Sequence, residues 1–278
     1  MTSEAPARPD PGRGHPDARP RSPMRRLRLA CALALGAALC ARPAHAVPDP
    51  SRGILWTALQ GCILAKRTLG QTFPCLAVDL GNAGRPGTAV LRAPGQPTHT
   101  VVMPTADVVG LEAPVLQQAD GAAYWRAALA ARRSVIEALG SRLPIEGVGL
   151  AVNSAGGRSQ DQLHIHLDCL KPGVRAVLQR YGAGVTARWA PLPVALQGSR
   201  FLAMRVPAAE AAEFNPFAAL TRLPGHRTNL RATSLAAVAT SPQDPEPGFY
   251  VLANRSPGSH AEKLLDHSCA AAARAAPR

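Results

Sequence analysis

The sequence predicts an α+β fold, a largely antiparallel sheet with helices packed on it. Two observations carry that prediction. Short segments rich in Val, Leu and Ala recur between Gly/Pro-rich turns, as strands joined by hairpins do. Two longer segments repeat their apolar residues at helical spacing instead. At 278 residues and 46% hydrophobic, the chain can also bury a substantial core.

"RGILWTALQGCILAKRTLG" (52–70) predicts a helix that stops at Gly70. "CLAVDL" (75–80), "GTAVLRA" (87–93) and "THTVVMPT" (98–105) predict three strands, divided by turns at 81–86 and 94–97. "GAAYWRAALAARRSVIEALG" (121–140) predicts a second helix. Its residues Tyr124, Trp125, Ala128, Leu129, Val135, Ile136 and Leu139 fall near one stripe, and Gly140 supplies the stop. "GVGLAVN" (147–153) and 162–170 predict two strands joined by the polar loop "SAGGRSQ". "RFLAMRV", "SLAAVAT" and "GFYVLANR" predict three more. A last helix is expected to open at Ser259-His260-Ala261-Glu262, which has capping-box form. There is no internal repeat and no glycine motif of the Walker or dinucleotide type.

Residues 1–24 are rich in Pro, Arg and Gly, a composition that predicts disorder. "RRLR" (25–28) then precedes the apolar run 29–41 and "RPAHA". This is the basic, apolar and small-x-small order of a secretory signal, with cleavage expected after Ala46. The run is short for a membrane span, so a retained anchor is the second reading. The expected organisation is therefore a leader over 1–46 and one catalytic domain with a C-terminal extension over 47–278, exported to the periplasm or held at the membrane surface.

Two of the six cysteines leave with the leader. Cys62, Cys75, Cys169 and Cys269 remain, and an even count in an exported chain points to disulfides. Three pairings are open, with four buried thiols as the alternative. Cys62–Cys75, closing a short local loop, and Cys169–Cys269, tying the C-terminal helix to the 162–170 strand, are favoured. The formal charge of +13 rests almost wholly on arginine, since only Lys66, Lys171 and Lys263 are lysines. With so much Ala, Pro and Gly, that is a compositional bias. No Lys/Arg block or aromatic-interleaved basic helix points to nucleic acid.

"GRSQDQLHIHLDC" (157–169) holds the chemistry. Alternation along 162–170 directs Leu163, Ile165, Leu167 and Cys169 to the core. Gln162, His164, His166 and Asp168 share the other, solvent-facing side. Two imidazoles at that spacing could supply metal ligands, with Asp168 as a third. No further cluster supports this, because His99, His226, His260 and His267 are scattered in sequence. The other reading is nucleophilic attack on phosphorus by a neutral imidazole, with Arg158, Ser159 and the loop N–H groups as donors to phosphate oxygens.

"AVNSAGGRSQDQLHIHLDC" resembles the signature of the CDP-diacylglycerol pyrophosphatase family, a branch of the histidine-triad superfamily. "THTVVMPT", "APVL" (113–116), "RWAPLP" (188–193), "RFLAMRV", "AEKLLDHSC" (261–269), Cys62 and the "PC" at 74–75 resemble family segments in the same order. The superfamily motif is His-φ-His-φ-His-φ-φ, with φ apolar. Gln162 stands at its first histidine, His164 at the middle one and His166 at the third, while Asp168 replaces the last apolar residue.

The resemblance implies hydrolysis of CDP-diacylglycerol, drawn from membrane lipid, to CMP and phosphatidate, without a cofactor or a metal. It makes His164 the nucleophile and His166 the positioning and proton-relay group. Gln162 and Ser159 complete the catalytic set, and Asn153, Gly157 and Arg158 bind substrate. Two alternatives stand beside this: a nucleotidyl-transferase or broader nucleotide pyrophosphatase using the same histidine, and an exported module that binds nucleotide or metal without turnover.

Overall fold

A computed structural model of the protein describes residues 49–225 and 229–274; the expected leader lies outside them. Helix α1 (Ile54–Leu69) leads into β1 (Ala77–Asp79), β2 (Thr88–Arg92) and β3 (Thr100–Pro104). Helix α2 (Ala119–Ala138) follows, then β4 (Val148–Val152), β5 (Ile165–Leu170) and α3 (Pro172–Tyr181). The chain continues through β6 (Ala190–Pro191), β7 (Leu202–Pro207) and α4 (Pro216–Leu220). It closes with β8 (Thr233–Ala239), β9 (Gly248–Arg255), β10 (Leu265–Asp266) and α5 (Ala270–Ala273).

All ten strands join one sheet, in the order β1-β2-β3-β5-β4-β8-β9-β7-β6, with β10 added beside β5. Every strand pair is antiparallel, so the α+β expectation is met. Both expected disulfides are present, with Cys62–Cys75 closing a 13-residue separation and Cys169–Cys269 one of 100. Gly70 ends α1 and Gly140 follows α2, each at positive φ where a Cβ is disfavoured.

The main core lies under α2. Tyr124, Trp125, Ala128 and Val135 pack on Leu163, Ile165, Leu167 and Cys169, the residues that alternation assigned to the inside. Two smaller clusters cover the opposite face. One joins α1 to β1–β3 through Leu59, Ile63, Val101 and Met103. The other gathers α3 with Ala151, Leu170, Leu252 and Leu264.

The C-terminal segment departs from expectation. Glu262 does not cap a helix: its N–H donates to Asn153 Oδ1 at 3.1 Å, and its carboxylate turns toward the histidines. A single 3₁₀ turn and β10 stand there instead, and α5 begins only after Cys269. Helices α3 and α4 form where none was expected. Each starts on a Pro of the kind that reads as a turn in sequence but suits a first helical turn.

Candidate active site

The face carrying His164 and His166 is not solvent-facing. His164 is 7% exposed, His166 6%, Gln162 1% and Asp168 0%. The reason lies in the register. His166 pairs with Val101 on one side and Ala151 on the other, and these belong to the two smaller clusters. The polar row therefore runs along a valley between two apolar ridges. A cleft of about 430 Å³ opens there, with Asn153, Ser159, His164, His166, His260 and Glu262 on its wall.

His164 Nδ1 donates to the carbonyl of Gln162 at 2.6 Å. That bond fixes the tautomer and leaves Nε2 with its lone pair at the cleft. Gln162 does not line the cleft. Its amide donates to the carbonyls of Pro104 and Ala106 at 2.9 and 3.0 Å and accepts from Val108 N–H at 3.4 Å. It bolts the 104–108 segment to the residue that orients His164. These bonds also explain why β5 begins at Ile165 and not at Gln162.

Behind His166 stands a group of residues that sequence spacing did not reveal. Along one edge of β5, β3 ends its pairing at Leu167 and β10 takes over at Cys169. His99, just before β3, and His267, just after β10, meet at that junction. His166 Nδ1 lies 2.9 Å from His99 Nε2 and 3.2 Å from Glu262 Oε1. His267 bridges Asp168 Oδ2 at 2.9 Å and Glu262 Oε1 at 3.2 Å. Asn153 Nδ2 donates to Glu262 Oε2 at 2.7 Å and approaches His166 Nε2 at 3.5 Å. One proton arrangement satisfies these contacts: His99 Nδ1–H on Gln96 Oε1, His166 Nδ1–H toward His99 and Glu262, and His267 doubly protonated.

The loop residues are placed differently from expectation. Arg158 directs its guanidinium at carboxylates, Glu112 at 2.8 and 3.0 Å and Asp161 at 3.2 Å, and not into open cleft. The N–H groups of Gly157 and Arg158 both donate to Ser154 O at 2.9 Å. Gly157 is needed for close approach, because a Cβ there would lie 2.4 Å from Ser259 O. Ser159 is exposed on the cleft wall, where its hydroxyl can reach a ligand.

A family model described as CDP-diacylglycerol pyrophosphatase matches residues 50–273. The chain belongs to the CDP-diacylglycerol pyrophosphatase family. A relative from Yersinia pestis, itself named CDP-diacylglycerol pyrophosphatase, is 34% identical over 222 residues, which cover 77% of this chain and 83% of the relative.

Charge in this pyrophosphatase-family site is sharply divided. Burial holds His164 below its ordinary value, and the Gln162 carbonyl only partly opposes it. Burial, then the neighbouring His164, pushes His166 well below 6.5. His99 is lowered by burial and by His267. The hydrogen bonds that His267 donates to Asp168 and then to Glu262 raise it to about 9. Burial alone would raise Glu262, but His267, His166 and Asn153 outweigh it and keep the carboxylate ionised. The atoms of His99, His166 and Glu262 lie within 4.8 Å of one another, as a cation would require. Binding one would cost the His99–His166 hydrogen bond. Asp168, the third ligand considered from sequence, instead serves His267 and Cys169 N–H.

These shifts predict a two-sided stability profile. His267 takes its proton more tightly folded than unfolded. Its contribution is complete below pH 6.5 and is lost as pH rises through about 9. The three histidines held neutral by burial act oppositely, and their contribution falls away as pH drops below 6.5. Thermal melting across pH should therefore peak near neutrality. In His267→Gln the alkaline decline should disappear; its persistence would refute the assignment.

Proposed function

We propose that this protein hydrolyses CDP-diacylglycerol to CMP and phosphatidate through a cytidylyl group carried on His164 Nε2. One observation carries the choice of nucleophile: the Gln162 carbonyl accepts the Nδ1–H of His164 and leaves Nε2 free at the cleft. Membership of the family supports the substrate.

His164 Nε2 attacks the phosphorus that bears cytidine. The P–N bond forms as the P–O bond to phosphatidate breaks, and phosphatidate leaves with the electron pair. The imidazolium so created is stabilised through Nδ1–H on the Gln162 carbonyl. Ser159 offers a hydroxyl to the phosphate oxygens. Water then attacks the same phosphorus, the P–N bond breaks and CMP is released. His166 relays the water's proton through the His99–Glu262 contacts, and Asn153 holds its ring in place. Arg158 acts through the loop: it ties 158–161 to Glu112 and so sets where Ser159 stands. The histidine-triad chemistry, with Gln162 in place of its first histidine, thus needs only an orienting carbonyl at that position. The expected export of the chain agrees with its two disulfides, which form in oxidising compartments. Among the described residues no helix is long and apolar enough to cross a membrane.

The test is alkaline quenching, which a P–N bond survives, of protein mixed with cytidine-labelled CDP-diacylglycerol, followed by peptide mapping at alkaline pH. The label is expected on 162–170 at His164, with CMP as the free product. Label on His166 would overturn the assignment. Transfer of the label to an added alcohol in preference to water would make the protein a transferase.

A further inference from the structure

Helix α1 presents an outer face that nothing in the described chain covers. Of the seven large apolar side chains exposed among the described residues, six fall between Ile54 and Leu80. Ile54 is 63% exposed, Leu64 62%, Leu69 72% and Phe73 83%. On the helix, Ile54, Thr57, Gly61, Leu64 and Thr68 follow one stripe at spacings of three, four, three and four. That stripe carries no charge, although it faces outward. Solvent-facing helix stripes in soluble proteins are ordinarily polar. The Cys62–Cys75 bond ties the loop bearing Phe73 to this helix. No acidic residue occurs from Ile54 to Leu76, and the two charges there, Lys66 and Arg67, are both positive.

The inner side of the same helix belongs to the active site. Leu55 lines the cleft with Leu91, Ala93 and Pro94, opposite the histidines. Leu55 N–H donates to Gln160 Oε1 at 2.8 Å, and Gln160 returns a bond to Ser51 O at 2.9 Å. Arg52 grips Asp161 through Nε and Nη2 at 2.6 and 2.7 Å and reaches Arg158 O at 3.1 Å. The loop holding Ser159 is thus clamped to the start of α1. An uncharged outer stripe, the cationic Arg67 at its border and an apolar cleft wall lie on one element.

We propose that α1 and the Phe73 loop form an interfacial docking surface for an anionic phospholipid bilayer, seating the cleft mouth at headgroup level. Apolar side chains dip below the headgroups while Arg67, at the border of the stripe, meets lipid phosphates. The inference rests on the proposed lipid substrate, whose acyl chains stay in the bilayer while its pyrophosphate enters between Leu55 and His164.

Two measurements on the full chain test it. In the first, Leu64→Trp is mixed with phosphatidylglycerol vesicles whose acyl chains carry bromine. The added emission is expected to be quenched relative to the parent; unquenched emission would overturn the proposal. In the second, Leu64→Glu/Leu69→Glu/Phe73→Glu is compared with the parent on two substrates. Turnover of long-chain CDP-diacylglycerol in vesicles is expected to fall about tenfold or more, with turnover of a dissolved short-chain form unchanged. Equal losses on both substrates would overturn the docking role. So would a parent that is dimeric, with the triple variant monomeric and the Leu64→Trp emission unquenched, since a second copy would then cover the face. A parent that hydrolyses neither substrate would refute the proposed reaction, leaving the quenching measurement to decide the docking surface.

Discussion

His164→Ala is expected to lower turnover of CDP-diacylglycerol by roughly 10⁴-fold or more and to abolish the cytidylyl adduct, because the proposed mechanism forms its P–N bond at this ring. The fold should survive. The ring lies at the cleft, and its one strong partner, the Gln162 carbonyl, can bond water once the space opens. Melting temperature and circular dichroism near those of the parent would separate lost chemistry from lost structure. Full activity in this variant would end the nucleophile assignment.

The second large effect is expected from Glu262→Gln, a change of one charge with little change of shape. Glu262 faces His99, His166 and His267 at once, and Asn153 holds its second oxygen. Without the carboxylate, the Nδ1–H of His166 keeps only the neutral His99 as acceptor and His267 loses one of two anions. Turnover should fall by roughly 10²–10⁴-fold, the usual range for general acid–base groups. The fall should lie in the water step, so cytidylyl-His164 should accumulate where the parent shows little. The alkaline limb of the stability profile should also move to lower pH, because only Asp168 remains to raise His267. Lost turnover without accumulated adduct would show that Glu262 serves attack or binding instead. Unchanged turnover would remove it from the mechanism.

Much of this architecture was legible from local pattern. Strand alternation placed Leu163, Ile165 and Leu167 in the core because a pleated strand has only two faces, and Gly70 and Gly140 marked helix ends through backbone sterics alone. The burial of His164 and His166 was not legible. Alternation separates the two faces of a strand but does not say what covers the second, and here two satellite clusters do. His99, Glu262 and His267 stand 67 to 101 residues from His166. Only the replacement of β3 by β10 along the edge of β5 brings them together, and strand order is a tertiary fact. A hint lay in the segments "THTVVMPT" and "AEKLLDHSC", which hold all three. Glu262 illustrates how tertiary contacts override a local signal: its capping-box position is real, but three imidazoles compete for its carboxylate.

The Cys169–Cys269 bond joins the residue after Asp168 to the second residue beyond His267. β10, which brings His267 into place, otherwise holds to β5 through only two residue pairs. His164 and His267 are therefore made at different times. His164 leaves the ribosome about a hundred residues before His267, and oxidation is what locks the two ends of that span together. Closing so long a loop favours the folded chain by about 4–5 kcal/mol through the unfolded state alone. The cluster of His99, His166, Glu262 and His267 is thus complete only once the last strand is in place. A reduced chain keeps both ends of this span but lacks the covalent latch between them, so the same bond that stabilises the sheet also holds His267 beside Asp168 and Glu262.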